Sequence, residues 1–178
     1  MKICLKTQPV LEPISIDILK IHLRLEHDRE DNYLTHLIQT SRQQIEANTK
    51  RCLIAQKWAI EIKEGKEEIV LPHTPLLKIE EIAIKALRGE KRILNPQLFP
   101  ITMKGDIAVL SNFIAISGPI RITYIAGYGD NAEDVPSPLK QAILMLAAYY
   151  YEHRGDRKMP LPSQIENLIA PFVVYKFS

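Results

Sequence analysis

The chain has 178 residues, of which 46% are hydrophobic and 25% charged. That length and mixture suit one compact soluble unit with a substantial core and exclude an intrinsically disordered chain. Lys and Arg number 23 against 21 Asp and Glu, a net charge of +2, so the strong basic excess of an autonomous nucleic-acid binder is missing.

Met1 to Val10 contains Lys2 and Lys6 but no apolar signal-type core, and the apolar run around Ala142 to Tyr151 is too short to span a bilayer. A non-membrane protein of the cytoplasm is expected. Cys4 and Cys52 show neither ligand nor redox spacing and read as free thiols.

Ser15 has the chemistry of a helix N-cap, with Asp17 in the first turn and Ile14 placed to staple onto Leu19, which predicts a helix from Ile16 to about Leu25. Asp28 opens a second, with Leu34, Leu37, Ile38, Ser41 and Ile45 at helical spacing up to about Asn48. From Ile54 the period falls to two: Trp58, Ile60 and Ile62 alternate with charged residues before the turn Glu64-Gly65-Lys66. Further strands are expected at Ile69 to Leu71, Leu77 to Leu87, Lys91 to Leu94, Ile107 to Leu110, Phe113 to Ile116 and Ile120 to Ala126, in an antiparallel meander or small barrel. In the long strand from Leu77 the apolar phase slips from Ile79 to Ile82, which predicts a β-bulge near Glu80 and Glu81.

Ser137 and Pro138 then start a third helix as cap and first residue, with Leu139, Ala142, Ile143, Leu146, Ala147 and Tyr150 on one face and an end near Arg154-Gly155. Ser163 to Glu166 reads as a capping box opening a short last helix, stopped by Pro171, before an extended apolar tail. The order helix, helix, strands, helix, helix is an α+β pattern. It gives one domain with a helical body at 13–52 and 136–171, a β insertion at about 54–126 and a tail at 172–178.

No nucleophile elbow, P-loop, zinc helix or Cys-x-x-Cys pair occurs, and no catalytic, metal or cofactor residues are assigned. Gly127-Tyr128-Gly129-Asp130 matches only part of a phosphate-binding fingerprint and reads as a turn. His22, His27, His36 and His153 lack ligand spacing. Tyr149, Tyr150 and Tyr151 point about 100° apart in a helix and fit a helix enclosed by its own fold and a neighbouring subunit. With Phe172, Tyr175 and Phe177 they are the candidate association interface. Between Lys78 and Lys104 six cations face three glutamates; Lys85, Arg88, Lys91 and Arg92 are candidates for contact with passing DNA. The same region supports an alternative reading as a small nucleic-acid-binding module.

Two blocks carry a family resemblance: Pro13-Ile14-Ser15 through His22 to Asp31 and on to Ile45-Glu46, and Ile122 to Asp130 followed by Val135-Pro136-Ser137-Pro138-Leu139 to Ile143 and Tyr151-Glu152-His153-Arg154. With Trp58, Leu71-Pro72 and Pro75-Leu76 between them, the chain resembles the head-tail connector (head-completion or adaptor) proteins of tailed phages, prophages and gene transfer agents. The resemblance implies a non-enzymatic structural protein without cofactors. Its implied partners are further copies of itself in a ring, dodecamer-like in the assembled particle, the portal protein, a tail-completion or stopper protein and transiently DNA. It also implies assembly in the bacterial cytoplasm and residence at the head–tail junction of the virion. Deleting Phe172 to Ser178 is expected to weaken portal binding and leave the fold intact.

Overall fold

The computed structural model describes residues 1–85, 91–113, 115–154 and 160–175. They form eight strands and four α-helices in the order β1 (Lys2–Thr7), α1 (Ile16–Leu23), α2 (Asp31–Thr49), β2 (Gln56–Ile62), β3 (Glu68–Val70), β4 (Leu76–Lys85), β5 (Lys91–Leu94), β6 (Ile101–Lys104), β7 (Ile107–Ser111), β8 (Ile120–Ala126), α3 (Ser137–Glu152) and α4 (Ser163–Ile169). The fold is α+β, and the chain divides into two compact units: a β unit of Met1–Pro9 and Ala55–Tyr128, and a helical unit of Val10–Ile54 and Gly129–Ser178. None of the described helices is long and apolar enough to cross a membrane.

In the β unit, a five-stranded sheet runs β1-β2-β8-β4-β5 and a three-stranded sheet β3-β7-β6, all antiparallel. This replaces the expected meander: β8 sits in the middle of the larger sheet, between β2 and β4. Because side chains alternate faces along a strand, register decides what is inside. One cross-strand row is Ile3, Ile60, Ile122, Ile82 and Leu94, and its three central isoleucines are fully buried. The next row, on the opposite face, is Lys2, Glu61, Arg121, Ala83 and Ile93, bridged by an Arg121–Glu61 ion pair. The smaller sheet adds Ile69, Ala108, Val109 and Leu110 to the core, and Phe99 and Phe113 stack with centroids 4.2 Å apart.

The β4–β8 register shifts between Ile79 and Glu81, so the expected bulge is present. Two strands escape the sequence reading. Lys2–Thr7 alternates Ile3 and Leu5 with Lys2, Cys4 and Lys6, but is exposed along its whole length. Ile101–Lys104 is hidden behind Pro100 and turns into β7 at Gly105, whose φ of +62° suits glycine. The strand expected at Phe113 to Ile116 does not form among its described residues: Asn112 is left-handed and the Ile116 N–H turns back to the Phe113 carbonyl.

In the helical unit the predicted stripe of α2 (Leu34, Leu37, Ile38, Ser41, Ile45) is buried, as are Leu139, Ala142, Ile143, Leu146 and Ala147 of α3. Ser15 caps α1, its hydroxyl accepting from the Ile18 N–H at 3.3 Å, and Arg24 ends it in the left-handed conformation. The other two caps differ from expectation. Pro136 takes the cap position of α3, which puts Ser137 and Pro138 inside the helix. Pro162 precedes α4, where the Glu166 N–H bonds to the Pro162 carbonyl and no capping box forms at Ser163. Gly129 is required by a close approach, since a Cβ there would lie 2.1 Å from the Asp134 carboxylate.

Candidate assembly surfaces

The three tyrosines of α3 meet three different surroundings, as their angular spacing demands. The Tyr151 hydroxyl donates to Glu30 Oε2 at 2.6 Å, and Arg154 reaches the other Glu30 oxygen at 2.7 Å. The Arg154 guanidinium also lies over the rings of Tyr151 (4.3 Å) and Tyr33 (4.6 Å), two cation–π contacts joining the first turn of α2 to the end of α3. Hydrogen bonds from Tyr151 and Arg154 hold the Glu30 carboxyl below the usual carboxylate range, and the same bond to Glu30 raises the Tyr151 phenol. Tyr151 is thus engaged inside its own chain. Tyr149 packs on His153 with centroids 4.2 Å apart, and half-buried Tyr150 has its phenol raised by burial.

The beginning of the tail is tied down. Arg51 Nε donates to the Phe172 carbonyl at 2.6 Å and the Val174 N–H donates to the Thr49 carbonyl at 3.0 Å, while Ala170–Phe172 forms a 3₁₀ turn. Removal from Phe172 onward therefore takes away one acceptor of buried Arg51, a cost to set beside the expectation that the fold stays intact. Tyr175 is 71% exposed and Phe177 lies outside the described residues.

Of the four basic candidates, Arg88 and the Lys85 side chain lie outside the described part of the structure. In the β4–β5 ladder Lys85 is opposite Lys91 and Ile84 opposite Arg92. Adjacent residues of β5 face opposite ways, so Lys91 and Arg92 share no face. Lys91 is paired with Glu81 at 2.8 Å. Lys104 forms an ion pair with Glu68, so two of the six cations of this region are answered by carboxylates.

Sequence reasoning passed over the apolar surface before and along α1. Val10 is 96% and Ile21 78% exposed, and Ile18 and Leu11 are also open. Ile18 borders a groove of about 470 Å³ lined further by Pro13, Ile14, Lys140 and Leu144. Ile18 and Ile21 are three residues apart, hence neighbours on one helix face; the signal was legible, but only the Ile14–Leu19 staple was read for α1. In the β unit, Ile93, Leu98, Ile101 and Met103 are likewise exposed. Beneath the helical surface lies a second overlooked feature, buried Arg42, whose Nε and Nη1 donate to Glu12 and Glu46 at 2.7 Å each. Burial opposes its charge, and the two carboxylates outweigh burial and hold the guanidinium protonated beyond its ordinary value. No cluster of three or more metal-ligating side chains occurs among the described residues.

Open apolar side chains beside locally balanced ion pairs are the surface pattern expected of a protein that associates. The family model described as head completion protein matches residues 12–159, and the chain belongs to that family, a structural class of phage head–tail connectors rather than an enzyme class. No curated protein sequence matches. Among solved structures, the fold is similar to a chain in the neck of an empty GTA particle computed with C6 symmetry, at TM-score 0.85 and 21% identity over 100% of this chain and 98% of that one. A chain from the virion of a native gene transfer agent particle matches at 0.84 and 20% identity with the same coverage. A chain in the neck of the native GTA particle computed with C12 symmetry matches at 0.78 and 20%, again over 100% and 98%.

Proposed function

We propose that this chain is the repeating subunit of a ring that joins the portal to the tail of a phage or prophage-like particle, with the whole chain serving as one connector domain. The observation that carries this reading is the family match across both units, supported by full-length similarity to neck chains computed with six- and twelvefold symmetry. Twelve copies is the expected number. A cyclic ring needs two different patches per subunit, one meeting the other on the next copy. The open apolar face of α1 and the half-buried tyrosines Tyr149 and Tyr150 supply candidate patches on the helical unit.

Tyr175 and Phe177, which follow the tie of the tail at Val174, are the proposed contact to the portal, with a tail-completion or stopper protein on the opposite side. Contact with DNA is weak and sequence-independent: the neutralised Lys91 argues against a dedicated nucleic-acid module, whereas Arg92 and Lys85 remain candidates for lining the exit path. Assembly takes place in the host cytoplasm and the ring ends at the head–tail junction. Light scattering over a concentration series, alone and with the portal protein of the same genome, tests the reading. A closed oligomer or a stable portal complex is expected; a monomer indifferent to portal but retained on DNA at low salt overturns it.

A further inference from the structure

β1 is attached to the β unit on one side only. Its ladder partner is β2, and all six of its residues are exposed. Leaving β2 costs β1 its ladder hydrogen bonds, the partial cover of Ile3 and Leu5 and the attraction of its lysines to Glu61. The strand that restores every one of those bonds in the same register is β1 of another copy.

That register is selective. Lys2 lies opposite Glu61, Cys4 opposite Ala59 and Leu5 opposite Trp58. The Glu61 carboxyl is held low by Arg121 first, and by Lys2 and Lys6 in addition, so the edge of β2 is charge-matched to this strand. β1 itself is an edge strand carrying Lys2 and Lys6, the kind of charge that discourages further strand addition.

The connection favours release. The division between the two units falls at Pro9, which has no N–H to continue a ladder, and the following Val10 is almost fully exposed. Glu12 is already held by Arg42 inside the helical unit. Gln8 to Leu11 is thus a four-residue tether that spans at most about 14 Å.

We infer that β1 is an exchanged strand: in the assembled ring Lys2–Thr7 of one subunit completes the five-stranded sheet of its neighbour by pairing with that neighbour's β2. This rests on the ring reading above and adds the link that would run between its subunits. Exchange of an identical element needs no new surface. The short tether would also couple each helical unit to the adjacent β unit.

The register supplies the test. In Ala59→Cys the new thiol stands opposite Cys4, and oxidised glutathione removes two electrons and two protons from the pair to form a disulfide. The chain is assembled with its portal, the ring is isolated by size, oxidised, and run on a denaturing gel without reductant. Exchange predicts that most of the protein appears in bands of two or more covalently joined subunits, collapsing to one band with reductant and absent in Cys4→Ser/Ala59→Cys. An isolated ring that yields only internally bridged monomers overturns exchange and leaves the ring reading standing. Protein that stays monomeric with portal present overturns both. Because Ala59 is buried, the exposed pair Lys2→Cys/Glu61→Cys in a Cys4→Ser background provides the same readout should Ala59→Cys fold poorly.

Discussion

Replacing Arg42 by methionine tests the electrostatic core of the helical unit. Methionine keeps most of the apolar stem and removes the head that bridges Glu12 and Glu46. Both carboxylates are themselves largely covered, with side-chain exposures of 19% and 14%. Glu46 also accepts the Leu53 N–H at 2.8 Å, which fixes it where it is and prevents it from turning out to water without losing that bond. Removing one partner of a buried pair costs about 3–5 kcal/mol, because the other charge is left uncompensated. The partial exposure of the glutamates puts Arg42→Met near the lower end, about 3 kcal/mol. With a urea slope of about 2 kcal/mol per molar, the unfolding midpoint falls by about 1.5 M. Arg42→Met/Glu46→Gln removes one of the two stranded charges, leaving Glu12, and recovers part of the loss. Urea unfolding followed by far-UV circular dichroism measures both. A drop under about 0.5 M for the single variant would refute the reasoning, since it would mean the carboxylates are solvated well enough not to need the arginine.

Four further outcomes follow from the surfaces. Ile21→Asp changes stability by no more than about 0.5 kcal/mol, as expected at an exposed position, yet lowers the proportion of ring seen by light scattering; undiminished assembly removes α1 from the interface. Truncation after Val174 leaves the melting temperature unchanged and weakens capture by immobilised portal, whereas truncation before Phe172 also lowers the melting temperature; equal portal capture by the shorter and full chains rules out the tail contact. Tyr151→Phe tests the Glu30 cluster by pH: a carboxyl held low in the fold stabilises above its unfolded value, near 4.5, and that contribution disappears as pH falls through the lower folded value. Wild type should exceed the variant in stability at pH 7 and converge on it in acid; a pH-independent gap points to packing instead. Lys91→Gln/Arg92→Gln leaves ring formation intact and reduces weak, salt-sensitive retention of the ring on DNA; unaltered retention places the DNA contact elsewhere.

The helices were legible where a stripe of large apolar residues recurs at 3.6-residue spacing, as in α2 and α3, and the bulge was legible because a phase slip inside one strand has few other causes. Sheet order was not: nothing local in Ile120–Ala126 says that it pairs with β2 on one side and β4 on the other, since both ladders join residues far apart in the chain. β1 was missed because it is exposed throughout and carries no burial signal. Caps failed where proline competed. Ser137 and Ser163 each follow a proline that takes the cap position itself. The assembly surfaces were half legible. Tyr151 was picked out for its aromatic run, but its bond to Glu30 joins positions 121 residues apart and has no sequence signature. Arg42 went unremarked for a similar reason, its partner Glu12 lying thirty residues upstream.

The chain holds one tryptophan, Trp58, in β2 and stacked on His73 with ring centroids 3.6 Å apart. Each compact unit therefore carries its own spectroscopic reporter. Indole fluorescence records only the β unit, while the helical band of circular dichroism is dominated by α1 to α4. If the two curves coincide during denaturation, the units melt as one cooperative block. If they separate, the order of the curves says which half lets go first, without a label on either.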